Sequence, residues 1–105
     1  MKPWIGLVVL SMRIYGATSL KDRRQVTRSI LESIRNRQNF SVCDLGPDDS
    51  WDRADLAFSC VSCSAARTSE QIDRLTDIIE LREQDGEFEI INVRKEVMAY
   101  GDIQN

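Results

Sequence analysis

Apolar residues along this chain follow two alternating spacings, and the order of these spacings limits the folds that are available to it. A spacing of two is typical of a strand with one buried face, and helical spacing is typical of an amphipathic helix. In chain order the segments are 4–14 (strand), 20–37 (helix), 40–45 (strand), 55–64 (strand), 67–83 (helix) and 87–97 (strand). Because strand–helix–strand crossovers are right-handed, both helices lie on one face of a four-stranded antiparallel sheet. The sequence therefore predicts an α+β, ferredoxin-like βαββαβ fold.

Two local signals refine this prediction. Ser19 stands three residues before Asp22 at the start of the first helix, which is the spacing of a capping box. In the last strand the apolar phase changes from Phe88 and Ile90 to Ile91. We therefore expect a β-bulge near Ile91.

The length of 105 residues suits one domain with its own core and is too short for two. We expect a single domain over 1–105, in which 98–105 form a flexible tail. The longest apolar run, 5–10, is about a third of a membrane-spanning helix, and Lys2 alone is a poor start for a signal peptide, so no membrane partner is expected. Three cysteines without such a signal favour reduced thiols and a cytoplasmic location.

The residue types argue against an enzyme. The chain has no histidine, which removes the commonest general base and transition-metal ligand. Cys60 and Cys63 are three apart on a predicted strand, so their thiols point to opposite faces and neither a metal nor a redox site is expected. Four acids near a predicted turn suit turn chemistry and lack calcium-loop spacing: Asp44, Asp48, Asp49 and Asp52. We expect no catalytic residue, metal or cofactor.

Charge is divided unevenly along the chain. The net charge is -3, but residues 1–37 hold eight basic and two acidic side chains, whereas residues 38–105 hold six basic and fifteen acidic ones. Four cations fall within about 60° on the first helix, beside its apolar stripe. They are Lys21, Arg24, Arg28 and Arg35. Such a row suits phosphate recognition, although a solvated face is also typical of charge runs.

A second charged stripe offers an alternative role for these cations. Four acids of the second helix fall within about 80° of one another: Glu70, Asp73, Asp77 and Glu80. The basic and acidic stripes could meet within one chain or across two subunits. Charge alone leaves RNA and self-association open.

Three further residues are candidates for supporting roles. Ser19 closes a loop at a helix N-terminus, where free N–H groups attract anions, although ordinary capping explains it as well. Trp51 suits either base stacking or a lid on the core, and a lid is the commoner role of such a tryptophan. Arg53 beside it is a candidate salt-bridge partner. The strands lack the exposed aromatic signature of an RRM-type RNA-binding sheet.

Several parts of the chain match the pattern of one protein family: 16–24 (GATSLKDRR), 35–37, 41–42, 51–54 (WDRA) and Glu96. Through these stretches the chain resembles the YlxP-like family of small bacterial proteins of unknown function. The chain departs from the family at Thr18, where histidine is frequent, and at Ser50, where leucine is usual. The resemblance implies a ferredoxin-like fold in a bacterial cytosolic protein. Family genes often lie beside those for translation initiation factor two and ribosome-binding factor A, which implies a role near RNA or ribosomes.

Two functional hypotheses follow. The first is a non-enzymatic accessory protein that contacts RNA or the ribosome through the four cations of the first helix, with Ser19, Trp51 and Arg53 nearby. The second is a self-associating regulatory or small-ligand module. It is favoured by the apolar side chains on the second face of the first strand, at Ile5, Leu7 and Val9, because an apolar sheet face requires cover.

Overall fold

The computed structural model describes residues 2–103 of the chain and has the predicted element order. The elements are β1 (Trp4–Ile14), α1 (Leu20–Arg37), β2 (Ser41–Gly46), β3 (Arg53–Ser62), α2 (Ala65–Glu83), β4 (Phe88–Ala99) and α3 (Tyr100–Ile103). The four strands form one sheet in the order β2-β3-β1-β4, and all neighbouring strands are antiparallel. The predicted ferredoxin-like α+β fold is confirmed.

Element bounds agree best where the local signal is strong. β1 and α1 have their predicted ends, and α1 begins after Ser19, whose Oγ accepts a hydrogen bond from the Asp22 N–H at 3.1 Å. α2 begins two residues earlier than predicted because Ser64 caps it in the same way, accepting from the Arg67 N–H at 3.1 Å. β3 correspondingly ends at Ser62, before the second cysteine of the pair.

The predicted flexible tail requires a correction. β4 continues through Ala99, which pairs with Trp4 and is buried, and α3 follows directly. β4 is longer than predicted because the first residues of β1 pair with its last residues. Residues 104 and 105, the rest of the predicted tail, lie outside the described residues.

The predicted bulge in β4 is confirmed. Ser11 of β1 pairs with Asn92 of β4, and the next residue, Met12, pairs with Ile90. Ile91 is therefore the extra residue of the bulge. Its insertion keeps apolar side chains of β4 directed at the core on both sides of the change in phase.

The core lies between the sheet and the two long helices. Alternate residues of β1, including Val8 and Leu10, are buried together with Leu56 and Phe58 of β3 and with apolar residues of both helices. α2 approaches β1 very closely at Gly6, where an added Cβ would lie 2.7 Å from the Thr68 methyl carbon. A side chain at position 6 would have to displace Thr68 at this crossing. Within residues 2–103 there is no helix of sufficient length and apolar character to cross a membrane.

Candidate functional site

The four predicted cations are exposed on α1, and three of them line a common groove. Lys21, Arg24 and Arg28 line a shallow groove on the solvent side of the helix, and Arg35 lies outside it. The groove runs between two rows of side chains at i, i+4 spacing, which form adjacent ridges on any helix. One row is Lys21, Gln25, Ser29 and Ser33, and the other is Arg24, Arg28, Glu32 and Asn36.

The four predicted cations form no salt bridge within residues 2–103. The salt bridge found within those residues joins a different cation of α1, Arg23, to Asp44. It does not involve Lys21, Arg24, Arg28 or Arg35. The acidic stripe of α2 is exposed and makes no salt bridge to them within those residues. Pairing of the two stripes inside one chain, which was one sequence-based alternative, is therefore wrong.

α2 contacts this side of α1 through an arginine that sequence reasoning missed. The Arg82 guanidinium donates to the Ser29 hydroxyl at 2.9 Å and to the Ser33 hydroxyl at 3.4 Å. Arg82 thus adds a cation beside the groove and joins the C-terminal end of α2 to α1. The contact spans about fifty residues of sequence, so no local pattern could have indicated it.

The arginine next to Arg24 has the opposite environment. Arg23 is 1% exposed, and its Nη1 and Nη2 atoms donate to the two carboxylate oxygens of Asp44 at 2.8 and 2.9 Å. Its Nε donates to the Arg53 carbonyl oxygen at 2.7 Å. One guanidinium therefore joins the first turns of α1 to the end of β2 and the start of β3.

The electrostatics of this pair favour both charged forms. Hydrogen bonding to Asp44 raises the pKa of Arg23 against the opposing effect of burial. Burial by itself raises the pKa of Asp44, but bonds from the Arg23 guanidinium and the Gly46 N–H outweigh it, so the pKa lies below its usual value. Asp44 was predicted to serve turn chemistry alone, and its bond to Gly46 at 2.9 Å is of that kind. The ion pair is the role that the sequence analysis missed.

A sequence signal for Arg23 did exist. At 100° per residue Arg23 projects between Ile30 and Ile34, at the centre of the apolar stripe. A cation in that position must find an anion when the helix packs on the sheet. The sequence indicated the need for a partner, and only the fold identified it.

Ser19 functions as the N-cap of α1. The Asp22 carboxylate does not return to the Ser19 N–H, as a capping box requires, but accepts from the Thr18 N–H at 3.0 Å and the Thr18 hydroxyl at 2.9 Å. These bonds hold the pKa of Asp22 below its usual value. An incoming anion would meet this carboxylate, so the cationic groove is the better candidate surface.

Trp51 precedes β3 and Arg53 begins it, and neither residue lines the groove. Trp51 is 49% exposed, so the expectation that it forms a lid on the core is wrong. Arg53 contributes its backbone carbonyl to the Arg23 contact, and its side chain is exposed. α1 thus meets the start of β3 through the buried Arg23 side chain.

The prediction that both Cys60 and Cys63 lie on one strand is wrong, because β3 ends at Ser62. Cys60 is buried beside Gly6, and Cys63 is exposed after the end of β3. Burial raises the pKa of the Cys60 thiol. Within the described part of the chain, no group of three or more Cys, Asp or Glu side chains is arranged to hold a metal ion.

Comparison with known proteins places this arrangement in a family. Residues 5–95 match the family described as protein of unknown function (DUF503). The chain belongs to this family. It is also 33% identical over 76 residues to the uncharacterized protein YlxP of Bacillus subtilis (strain 168), a match that covers 72% of this chain and 83% of the relative. The resemblance to YlxP-like proteins is confirmed, and the DUF503 match includes β1 from Ile5 onward, α1 and the residues of the Arg23 contact.

Proposed function

We propose that this DUF503 protein is a non-enzymatic cytoplasmic accessory protein that binds RNA, free or within the ribosome, through the solvent face of α1. The observation that carries the proposal is the groove lined by Lys21, Arg24 and Arg28, whose charges have no ion-pair partner within residues 2–103. Arg35 extends the same side of the helix. Arg82 supplies a further positive charge from α2.

The geometry of the helix suits a phosphate backbone. Lys21, Arg24 and Arg28 are three and four residues apart, which separates them by about 4.5 and 6 Å along the axis. The stretch from Lys21 to Arg35 is about 21 Å long on the same basis. A row of this length can face several successive phosphates, and guanidinium groups bind phosphate oxygens in a bidentate manner.

The other residues of the groove favour RNA over DNA. Hydroxyl and amide side chains line the groove together with the cations: Gln25, Ser29, Ser33 and Asn36. These groups donate and accept hydrogen bonds, and the 2′-hydroxyl of RNA does the same. We therefore expect tighter binding to RNA than to DNA of the same sequence.

The test is the salt dependence of binding to a labelled, mixed-sequence, single-stranded RNA, followed by fluorescence anisotropy. If each of the four cations neutralises one phosphate, the slope of log K against log salt concentration is about -2.8. The double variant R24Q/R28Q should lower the affinity and reduce the slope to about -1.4. Sedimentation with purified ribosomes, before and after nuclease treatment, tests the ribosomal form of the partner.

The matched control is R67Q/R74Q, which removes the same charge from exposed arginines of α2. This variant should retain the wild-type slope. Equal losses in the two double variants would mean that overall charge, and not the face of α1, determines binding. Absence of binding to both RNA and ribosomes at low salt would refute the proposal.

A further inference from the structure

The sheet has a second face that neither long helix covers. The buried residues of β1, such as Val8 and Leu10, point toward α1 and α2, so Ile5, Leu7 and Val9 lie on the other side. An antiparallel sheet with one face in water normally alternates apolar and polar residues. β1 is apolar on both sides, which is typical of a strand that is covered on both faces.

Charged residues of β4 flank this apolar strip. In the sheet register Leu7 lies beside Glu96, and Val9 lies beside Arg94. These four side chains line one shallow depression on the open face. The face is thus an apolar strip bordered by one anion and one cation, two residues apart on the same strand.

This arrangement is complementary to itself. Suppose that two copies stack with their open faces together, and that a two-fold axis lies between the sheets, perpendicular to the strands. The axis is level with Val8 and its neighbours Phe58 and Lys95. It reverses the strand direction, so the residues on one side of Val8 in one copy lie opposite those on the other side in the second copy. Leu7 would then face Val9 of a second copy. Arg94 of each copy would face Glu96 of the other, forming two symmetric charge pairs.

We propose that the open sheet face is a homodimer interface, in which Leu7 stacks on Val9 of the second subunit and Arg94 pairs with Glu96 of the second subunit. Two sheets stacked face to face lie about 10 Å apart, a distance that side chains of this size fill. The second copy is the partner whose charges match in this position, because an isologous interface presents one patch to itself.

The open sheet face is large enough for a specific dimer interface. Four strands about 4.8 Å apart and about eight residues long give a face of roughly 500 Å² per subunit in plan. The total of about 1,000 Å² meets the lower bound for a specific interface. We therefore expect a dimer that dissociates on dilution and not an obligate one.

This inference is independent of RNA binding. The interface and α1 lie on opposite faces of the sheet, so a dimer directs two basic helices outward, away from each other. Either proposal can fail without the other.

The test is sedimentation velocity at increasing protein concentration. The wild-type chain should move from its monomer mass of 12.0 kDa toward twice that value as concentration rises through the micromolar range. R94E makes both flanking positions acidic, and E96R makes both basic. Each variant alone should dimerise at least about tenfold more weakly, because like charges meet across the axis.

Mixing the two variants distinguishes contacts between subunits from contacts within one chain. An equimolar mixture of R94E and E96R should form a heterodimer, because an all-acidic edge then faces an all-basic one. The matched controls R67E and E70R make the same charge changes at exposed positions of α2 and should dimerise as the wild type does. Circular dichroism verifies that each variant is folded.

Three results would overturn the proposal. The wild-type chain could remain a monomer throughout the concentration range, both charge variants could dimerise unchanged, or the mixture could fail to associate. The first result excludes a dimer at these concentrations. The other two place any dimer interface on a different surface.

Discussion

Replacing Asp44 with alanine removes the counter-charge of a guanidinium that is almost entirely shielded from water. The Arg23 side chain is 2% exposed and would retain only its bond to the Arg53 carbonyl, while its two bonds to the carboxylate would be lost. Removing one partner of a buried ion pair costs about 3–5 kcal/mol, because the remaining charge is left without compensation.

The expected magnitude lies at the lower end of this range. The Asp44 side chain is 28% exposed, so water can enter the space that it leaves and partly solvate Arg23. We expect D44A to lower the free energy of unfolding by about 3 kcal/mol, a large share of the roughly 5–15 kcal/mol typical of a domain. The melting temperature should fall by roughly 12 to 24 °C.

Urea denaturation with linear extrapolation measures the difference. D49A changes an exposed aspartate in the turn that follows β2 and should lie within about 0.5 kcal/mol of the wild type. The double variant R23M/D44A should be more stable than D44A, since it leaves no buried charge unpaired. The reasoning is wrong if D44A costs no more than D49A, or if the double variant is less stable than D44A.

Low pH should reduce the loss of stability that D44A causes. The pKa of Asp44 is lowered in the folded protein, so its contribution to stability is fully present above the unfolded-state pKa of about 3.9 and is lost as the pH falls through the folded-state value. The difference between the wild type and D44A should therefore be smaller at about pH 3 than at about pH 7. An unchanged difference would mean that the carboxylate charge is not the stabilising group.

Three further variants or measurements test other parts of the structure. Gly6→Ala should lower the free energy of unfolding by about 1–3 kcal/mol in urea, because the added methyl group meets α2 at 2.7 Å. Glu32→Gln should tighten RNA binding by about twofold to fivefold in the anisotropy assay, since it removes a carboxylate from the groove. Of the three thiols, Cys43 and Cys63 should react rapidly with a disulfide reagent in the folded protein, whereas Cys60 should react only on unfolding, because it is buried.

Local patterns predicted most of the backbone correctly. β1 and α1 have their expected ends because a long apolar alternation and an N-cap serine each act over a few residues. The bulge at Ile91 was visible for the same reason, as a one-residue change in apolar phase within β4. The end of β4 was less predictable, because its last residues are ordered by pairing with the distant start of β1.

The candidate site was predictable only in part. The angular cluster of Lys21, Arg24 and Arg28 follows from helix geometry alone, and the structure places all three along one groove. The contact of Arg82 with α1 depends on how the two helices lie together on the sheet. The residue spacing within either helix does not indicate which residues of the two helices come into contact.

Arg23 and Arg24 show where the information in the sequence ends. They are adjacent and chemically identical, and the sequence by itself determined the helix that carries them and the faces on which they project. The tertiary structure decided their environments, because the strand order brings the end of β2 beneath α1 and delivers Asp44 to Arg23. That carboxylate is 21 residues away along the chain, and its ion pair makes Arg23 a buried structural residue. Arg24 has no such partner and lies exposed on the surface proposed to bind RNA.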